Sequence, residues 1–120
     1  MIRDVEWTVL IVDDHREFRS VARALLEAEG FRFVGEAANG ASAIVAAEQL
    51  HPDVVLLDIQ LPDLDGFVVA QRLAAGPQPV PSIVLISSRA ATAYPRRLPG
   101  SSAPGFLSKS DLSGLALSSM

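Results

Sequence analysis

The sequence predicts an α/β domain: a five-stranded parallel sheet covered by helices on both faces. Three observations carry that prediction. Short apolar runs alternate along the chain with stretches of helical periodicity, the pattern of successive βαβ crossovers. The runs Trp7–Val12 and Val54–Leu57 are apolar at consecutive positions, as strands buried on both faces require. Polar side chains stop these runs at their C-terminal ends, on Asp13 and Asp14, on Asp58, on Ser87 and on Lys109.

The first run, "WTVLIV" (Trp7 to Val12), is short and rich in β-branched residues, which marks a strand. Phe18, Val21, Ala22, Leu25 and Leu26 then recur at the spacing of one helix face. Asp14 is the predicted N-cap of that helix and Gly30 its stop. "FRFVGEA" (Phe31 to Ala37) alternates apolar and polar residues, which places a strand near the sheet edge. Asn39 and Gly40 form a turn, Ala43, Ala46, Ala47 and Leu50 mark a second helix, and Pro52 ends it. "VVLL" (Val54 to Leu57) is the third strand, and the third helix runs from Gly66 to Ala75 with Val69, Ala70 and Leu73 on one face. "SIVLIS" (Ser82 to Ser87) is the fourth strand and "GFLS" (Gly105 to Ser108) the fifth, with a last helix from Asp111 onward. Between Arg89 and Pro104 the alternation calls for a fourth helix, but Pro95 and Pro99 interrupt it. At about 3 kcal/mol per interior proline, that helix is expected to be short or irregular.

The composition narrows the function classes. The 120 residues fit one domain, residues 1–120, with no basic helix-turn-helix segment after it. Almost half the residues are apolar and 20% are charged, which excludes a disordered chain. The net charge of -4 argues against a nucleic-acid surface, which needs a basic stripe. With no cysteine there is no disulfide framework, thiolate metal site or cysteine nucleophile, in keeping with a cytoplasmic location. The N-terminal apolar stretch is short and ends on two aspartates, so it is neither a signal peptide nor a membrane span.

The strand ends carry the chemistry. In a parallel sheet all strands point their C-terminal ends to one edge, where ligands gather. Asp13, Asp14, Asp58, Ser87 and Lys109 are thereby delivered to a single crevice by four strands. Two carboxylates about 5 Å apart repel by roughly 3 kcal/mol at an effective dielectric near 20, so such a cluster should hold protons or a cation. Hard oxygen ligands point to Mg²⁺ or a similar ion. Capping alone would explain Asp13 and Asp14 only if they stood apart from Asp58 and Lys109. Asp63 and Asp65 lie in a loop bounded by Pro62 and Gly66 and read as turn and cap residues, Asp65 opening the third helix. His15 reads as a solvated residue of the first helical turn, and nothing in the sequence assigns a function to His51.

The segments "VLIVDDH", "VVLLDIQLPDLDG", "IVLISS" and "GFLSKSDL" closely resemble the receiver domain of bacterial two-component response regulators. The "DDH" after the first strand is most similar to receivers of the LuxR-type-output sub-family. This resemblance implies a doubly wound, flavodoxin-like sheet of strand order 2-1-3-4-5. It implies that Asp58 is the phosphoacceptor, that Asp14 binds Mg²⁺ directly and Asp13 through a water, and that the backbone carbonyl of Gln60 also faces the ion. Lys109 matches the lysine that pairs with the phosphoacceptor. Ser87 matches the hydroxyl that moves toward the phosphoryl group, and Phe106 the aromatic that swings inward behind it. Ser88 matches a small residue admitting the phosphodonor, and Arg89 and Gln60 flank the site. The implied partners are a histidine kinase or phosphotransfer protein, with homodimer formation on phosphorylation and no direct contact with nucleic acid or membrane. The implied protein is a switch that catalyses only its own phosphorylation and dephosphorylation. The family follows its lysine with proline, whereas Ser110 stands here, so a trans bond is expected because the cis form costs about 3 kcal/mol.

Three other readings compete. A degenerate receiver would serve only as a protein-binding surface, and the complete set of acids, hydroxyl and lysine speaks against it. A haloacid-dehalogenase-like phosphohydrolase needs Asp-x-Asp on its nucleophile strand, which neither "DIQ" nor "DDH" supplies. A flavodoxin relative would need a Ser/Thr/Gly-rich phosphate loop after the first strand.

Overall fold

The computed structural model describes residues 7–88, 105–109 and 112. Five strands, β1 (Thr8–Val12), β2 (Arg32–Ala37), β3 (Val54–Asp58), β4 (Ser82–Ser87) and β5 (Gly105–Ser108), form one sheet in the order β2-β1-β3-β4-β5. Every pairing is parallel. Three helices are described: α1 (Arg16–Ala28), α2 (Gly40–Leu50) and α3 (Gly66–Ala74). The predicted fourth helix between Arg89 and Pro104, the last helix from Asp111 and the residue after Lys109 lie outside the described residues.

Consecutive residues of the central strands feed opposite cores. Leu10, Val12, Val55, Leu57, Ile83 and Leu85 face α2 and α3, meeting Ala43, Ala47, Val69, Ala70 and Leu73. Val9, Ile11, Val54, Leu56, Val84 and Ile86 face α1 through Ala22 and Leu26, together with Leu112. That is why these runs show no alternation, and it makes the sheet doubly wound. Strand β2 is an edge strand, as its pattern predicted, but its burial does not alternate: Arg32 and Glu36 are exposed, Phe33 to Gly35 are partly buried and Ala37 is buried, with a register shift where Val9 and Leu10 pair Phe33 and Gly35.

Local chemistry fixes the helix ends, with one correction. Asn39 caps α2 by accepting from the Ser42 amide, and Asp65 caps α3 by accepting from the Phe67 amide. Gly30 follows α1 at a φ of 98°, a conformation that suits glycine. Asp14 is not the N-cap of α1: His15 holds that position, in extended conformation and with no side-chain capping bond. The Asp13 carboxylate takes the His15 amide instead, at 2.7 Å. The α1 stripe is also narrower than its spacing predicted, because Val21 and Leu25 remain exposed while Ala22 and Leu26 are buried.

Candidate functional site

The C-terminal ends of β1 and β3 deliver two buried carboxylates side by side. Asp13 is fully buried and Asp58 is 3% exposed. Ligand atoms from Asp13, Asp14, His15 and Asp58 all lie within 4.8 Å of one another. Asp14 sits at the more open side of the group. Ser87, at the end of β4, is buried and pairs in register with Ser108, while Ile59, directly after Asp58, donates its amide to Ile86 at 3.0 Å. The four strand ends therefore converge as the parallel topology requires.

Lys109 supplies the positive charge. Its Nζ lies 2.6 Å from Asp13 Oδ2 and 3.4 Å from Asp58 Oδ2. The sequence paired this lysine with Asp58; the shorter contact is to Asp13. The ammonium also sits 4.5 Å above the Phe18 ring of α1, a placement that favours a cation. Burial alone would lower the Lys109 pKa, but the hydrogen bond to Asp13 and the charges of Asp58 and Asp13 together raise it above 10.5. Lys109 therefore stays charged throughout the neutral range.

Asp58 is the acid that burial strains most. Its pKa rises from 3.8 to about 6, driven first by desolvation and then opposed by the Gln60 amide; Asp13 pushes it further up and Lys109 pulls it down. The Gln60 N–H donates to Asp58 Oδ1 at 3.1 Å and Lys109 faces Oδ2, so both oxygens are oriented. A glycine is required beside this carboxylate. A Cβ at Gly66 would collide with the Asp58 carbonyl oxygen and stand 2.6 Å from Ile59 Cα, so α3 can start this close to β3 only without a side chain.

The donor set suits a hard divalent cation. Its acids bring oxygens, and Asp13 Oδ2 is buried in contact with the Lys109 ammonium alone among the described residues. Phe106 lies in register with Leu85 and is partly buried against the core facing α2 and α3. Ser88 is exposed, and Arg89 lies outside the described residues.

Some partners were missed. His15 is indeed exposed, but its Nδ1 lies 3.0 Å from Asp13 Oδ1 and 3.2 Å from Asp14 Oδ1. Its direct attachment to the two acids was the available signal. Arg19, four residues further on, donates to the Asp13 carbonyl at 2.8 Å and to Glu36 at 2.8 Å, which clamps the loop that carries the acids. Asp63 accepts from the Gly40 and Ala41 amides at 2.7 and 3.0 Å. It therefore caps α2 from the loop after β3, and these amide bonds lower its pKa.

Comparison with known proteins agrees with this geometry. A family profile for the response regulator receiver domain matches residues 9–116. A Pseudomonas aeruginosa protein named for transcriptional regulation is 44% identical over 101 residues, covering 84% of this chain and 48% of its own length. BvgA of Bordetella pertussis is 39% identical over 101 residues, with the same two coverages. The solved signal receiver domain of NarL from Mycobacterium tuberculosis superposes with a TM-score of 0.83 at 32% identity, covering 97% of this chain and 96% of that one. The chain spans about half the length of the curated relatives it matches. Among the described residues, no helix is long and apolar enough to cross a membrane. With the matching profile running through both buried aspartates and the lysine between them, this chain belongs to the response regulator receiver-domain family of two-component systems.

Proposed function

We propose that this chain is a phosphorylation-dependent signalling switch whose phosphoacceptor is Asp58. The observation that carries the reading is a buried, doubly oriented carboxylate with an ammonium 3.4 Å away. A lone pair of the Asp58 carboxylate attacks the phosphorus of a phosphohistidine on a histidine kinase or phosphotransfer protein. The O–P bond forms as the P–N bond breaks, and the electron pair of that bond returns to the imidazole nitrogen, which takes up a proton. Such loose phosphoryl transfers depend mainly on positioning and charge neutralisation. The Gln60 amide positions Oδ1, and Lys109 can follow the charge from the carboxylate to the phosphoryl oxygens.

Asp13, Asp14 and Asp58, with the Gln60 backbone carbonyl, would hold Mg²⁺. When bound, the ion would neutralise the clustered acids and the incoming phosphoryl oxygens. Ser87 is assigned the hydroxyl that approaches the phosphoryl group and Phe106 the aromatic that follows it, turning a local charge change into a surface change for a downstream partner or a second copy. In this reading residues 1–120 work as one receiver module in the cytoplasm. The module turns over no external substrate beyond its own phosphorylation and dephosphorylation.

The test is incubation with Mg²⁺ and acetyl phosphate, followed by intact-mass measurement. A gain of about 80 Da, one phosphoryl group, that disappears in Asp58→Asn is expected. Absence of the adduct with both small-molecule and protein donors would leave a binding surface as the better account.

A further inference from the structure

We propose that Phe18 is a positioning residue for phosphoryl transfer: its ring holds the Lys109 ammonium on the Asp13 side of the crevice, so that Asp58 Oδ2 stays free to attack phosphorus with the positive charge still within reach. This role rests on the reading of Asp58 as the phosphoacceptor.

Among the described residues, three groups surround the ammonium at unequal distances. Its Nζ lies 2.6 Å from Asp13 Oδ2, 3.4 Å from Asp58 Oδ2 and 4.5 Å from the centre of the Phe18 ring. Two carboxylates buried to a similar degree attract an ammonium alike, so the lean toward Asp13 calls for a third influence. The ring supplies it. An aromatic face draws a cation that lies within about 6 Å of its centre. The Lys109 side chain is only 18% exposed, and that attraction strengthens as water is excluded. A ring also attracts without bringing negative charge, whereas a further acid here would add to the repulsion between Asp13 and Asp58.

The ring is fixed and the lysine is not. Phe18 lies in the first turn of α1 and packs against the core that contains Val9, Ile11, Val84 and Ile86. Next to it, Arg19 donates to the Asp13 carbonyl at 2.8 Å, which ties this turn of the helix to the loop that bears Asp13. Ring and acid therefore keep a set relation, whereas the ammonium rides on a flexible four-carbon stem. Without the ring, the ammonium would settle evenly between the two acids and engage the lone pairs of Asp58 Oδ2. With it, the longer contact leaves that oxygen available to phosphorus. Charge arriving on the phosphoryl oxygens then draws Nζ off the ring, and the distance to travel is short.

The experiment replaces Phe18 in the full chain by mono-, di- and trifluorinated phenylalanine, which keeps the shape of the ring while its face loses negative charge stepwise. Each protein is incubated with saturating Mg²⁺ and acetyl phosphate, and the adduct is followed over time by intact mass. The bond from Asp58 to phosphorus forms as the P–O bond to the acetyl group breaks, and acetate leaves with the electron pair. The rate should fall with each added fluorine, by about three- to tenfold for the trifluorinated ring. The thermal midpoint should move by no more than about 2 °C. In a Lys109→Met background the series should be flat, because the ring acts through the ammonium. A flat series with Lys109 present, or an equal slope in Lys109→Met, overturns the role of Phe18; wild type that is phosphorylated while Asp58→Asn is inert leaves the phosphoacceptor reading standing. If wild type takes up no phosphoryl group from acetyl phosphate or from a phosphohistidine donor, both readings fall.

Discussion

The two edges of the sheet treat their aspartates in opposite ways. At the N-terminal edge, Asp53 is satisfied locally. Its Oδ2 accepts from the Thr8 amide at 2.8 Å and the Thr8 hydroxyl at 3.0 Å, and its own amide donates back to Thr8 Oγ1 at 2.8 Å. Its carbonyl also receives the Ser82 amide. One acid there locks β1, β3 and β4 in register. At the C-terminal edge, Asp13 and Asp58 are buried side by side with one ammonium between them. The first arrangement completes the fold by itself. The second leaves negative charge in excess, and in the function proposed above that excess equips the edge for a cation and a phosphoryl group.

The comparison breaks most completely at Asp58. Asp58→Asn should abolish the phosphoryl adduct, read by intact mass, and also make the protein more stable. The native state holds the Asp58 proton more tightly than the unfolded chain, with a pKa of about 6 against 3.8. Stability therefore falls as the pH rises between those values, and above pH 6 the ionised group is a standing penalty. Allowing for screening at this solvent-facing edge, Asn should gain about 1–2 kcal/mol at neutral pH without divalent ions. The gain should vanish near pH 4. Chemical denaturation at the two pH values checks the sign.

Gly66→Ala should come next, because the new Cβ would meet backbone rather than a yielding side chain. A loss of about 2–3 kcal/mol is expected, with slower phosphorylation as β3 and the start of α3 move apart. Thr8→Val removes the hydroxyl from the opposite edge. It should cost about 1 kcal/mol and leave the phosphorylation rate untouched, which separates a structural acid pair from a reactive one. The smallest effect belongs to Asp63→Ala, which frees the first amides of α2. The Asp63 pKa is depressed, so its contribution is present above about pH 4 and fades as the pH drops through the folded value. A small fall in the thermal midpoint at pH 7, absent in strong acid, is the expected outcome.

What the sequence revealed follows the range of the forces involved. The strands, the edge position of β2 and the cap Asp65 were legible because burial pattern and capping act over a few residues, whereas Asn39, expected only as a turn residue, also caps α2. The convergence of Asp13, Asp58 and Lys109 was legible because a parallel sheet sends every strand end to one side. Pairings set by tertiary register were not. Thr8 and Asp53 are 45 residues apart, and Asp63 reaches the start of α2 across 23. Nor does periodicity show that Val21 and Leu25 stay exposed, since it reports an apolar stripe and not what covers it. The contact of His15 with the acids lay one residue beyond the cap that the sequence favoured, and a shift of that size decides where a ring points.

Thermal unfolding of the wild type and Asp58→Asn, each with and without saturating Mg²⁺, tests the central claim most directly. If the C-terminal edge carries charge that a cation relieves, Asp58→Asn melts higher than the wild type in metal-free buffer. Mg²⁺ then raises the wild-type midpoint well above its effect on the variant, as binding to the native state alone requires. Equal shifts in both proteins, or a wild type that is the more stable without metal, would contradict it.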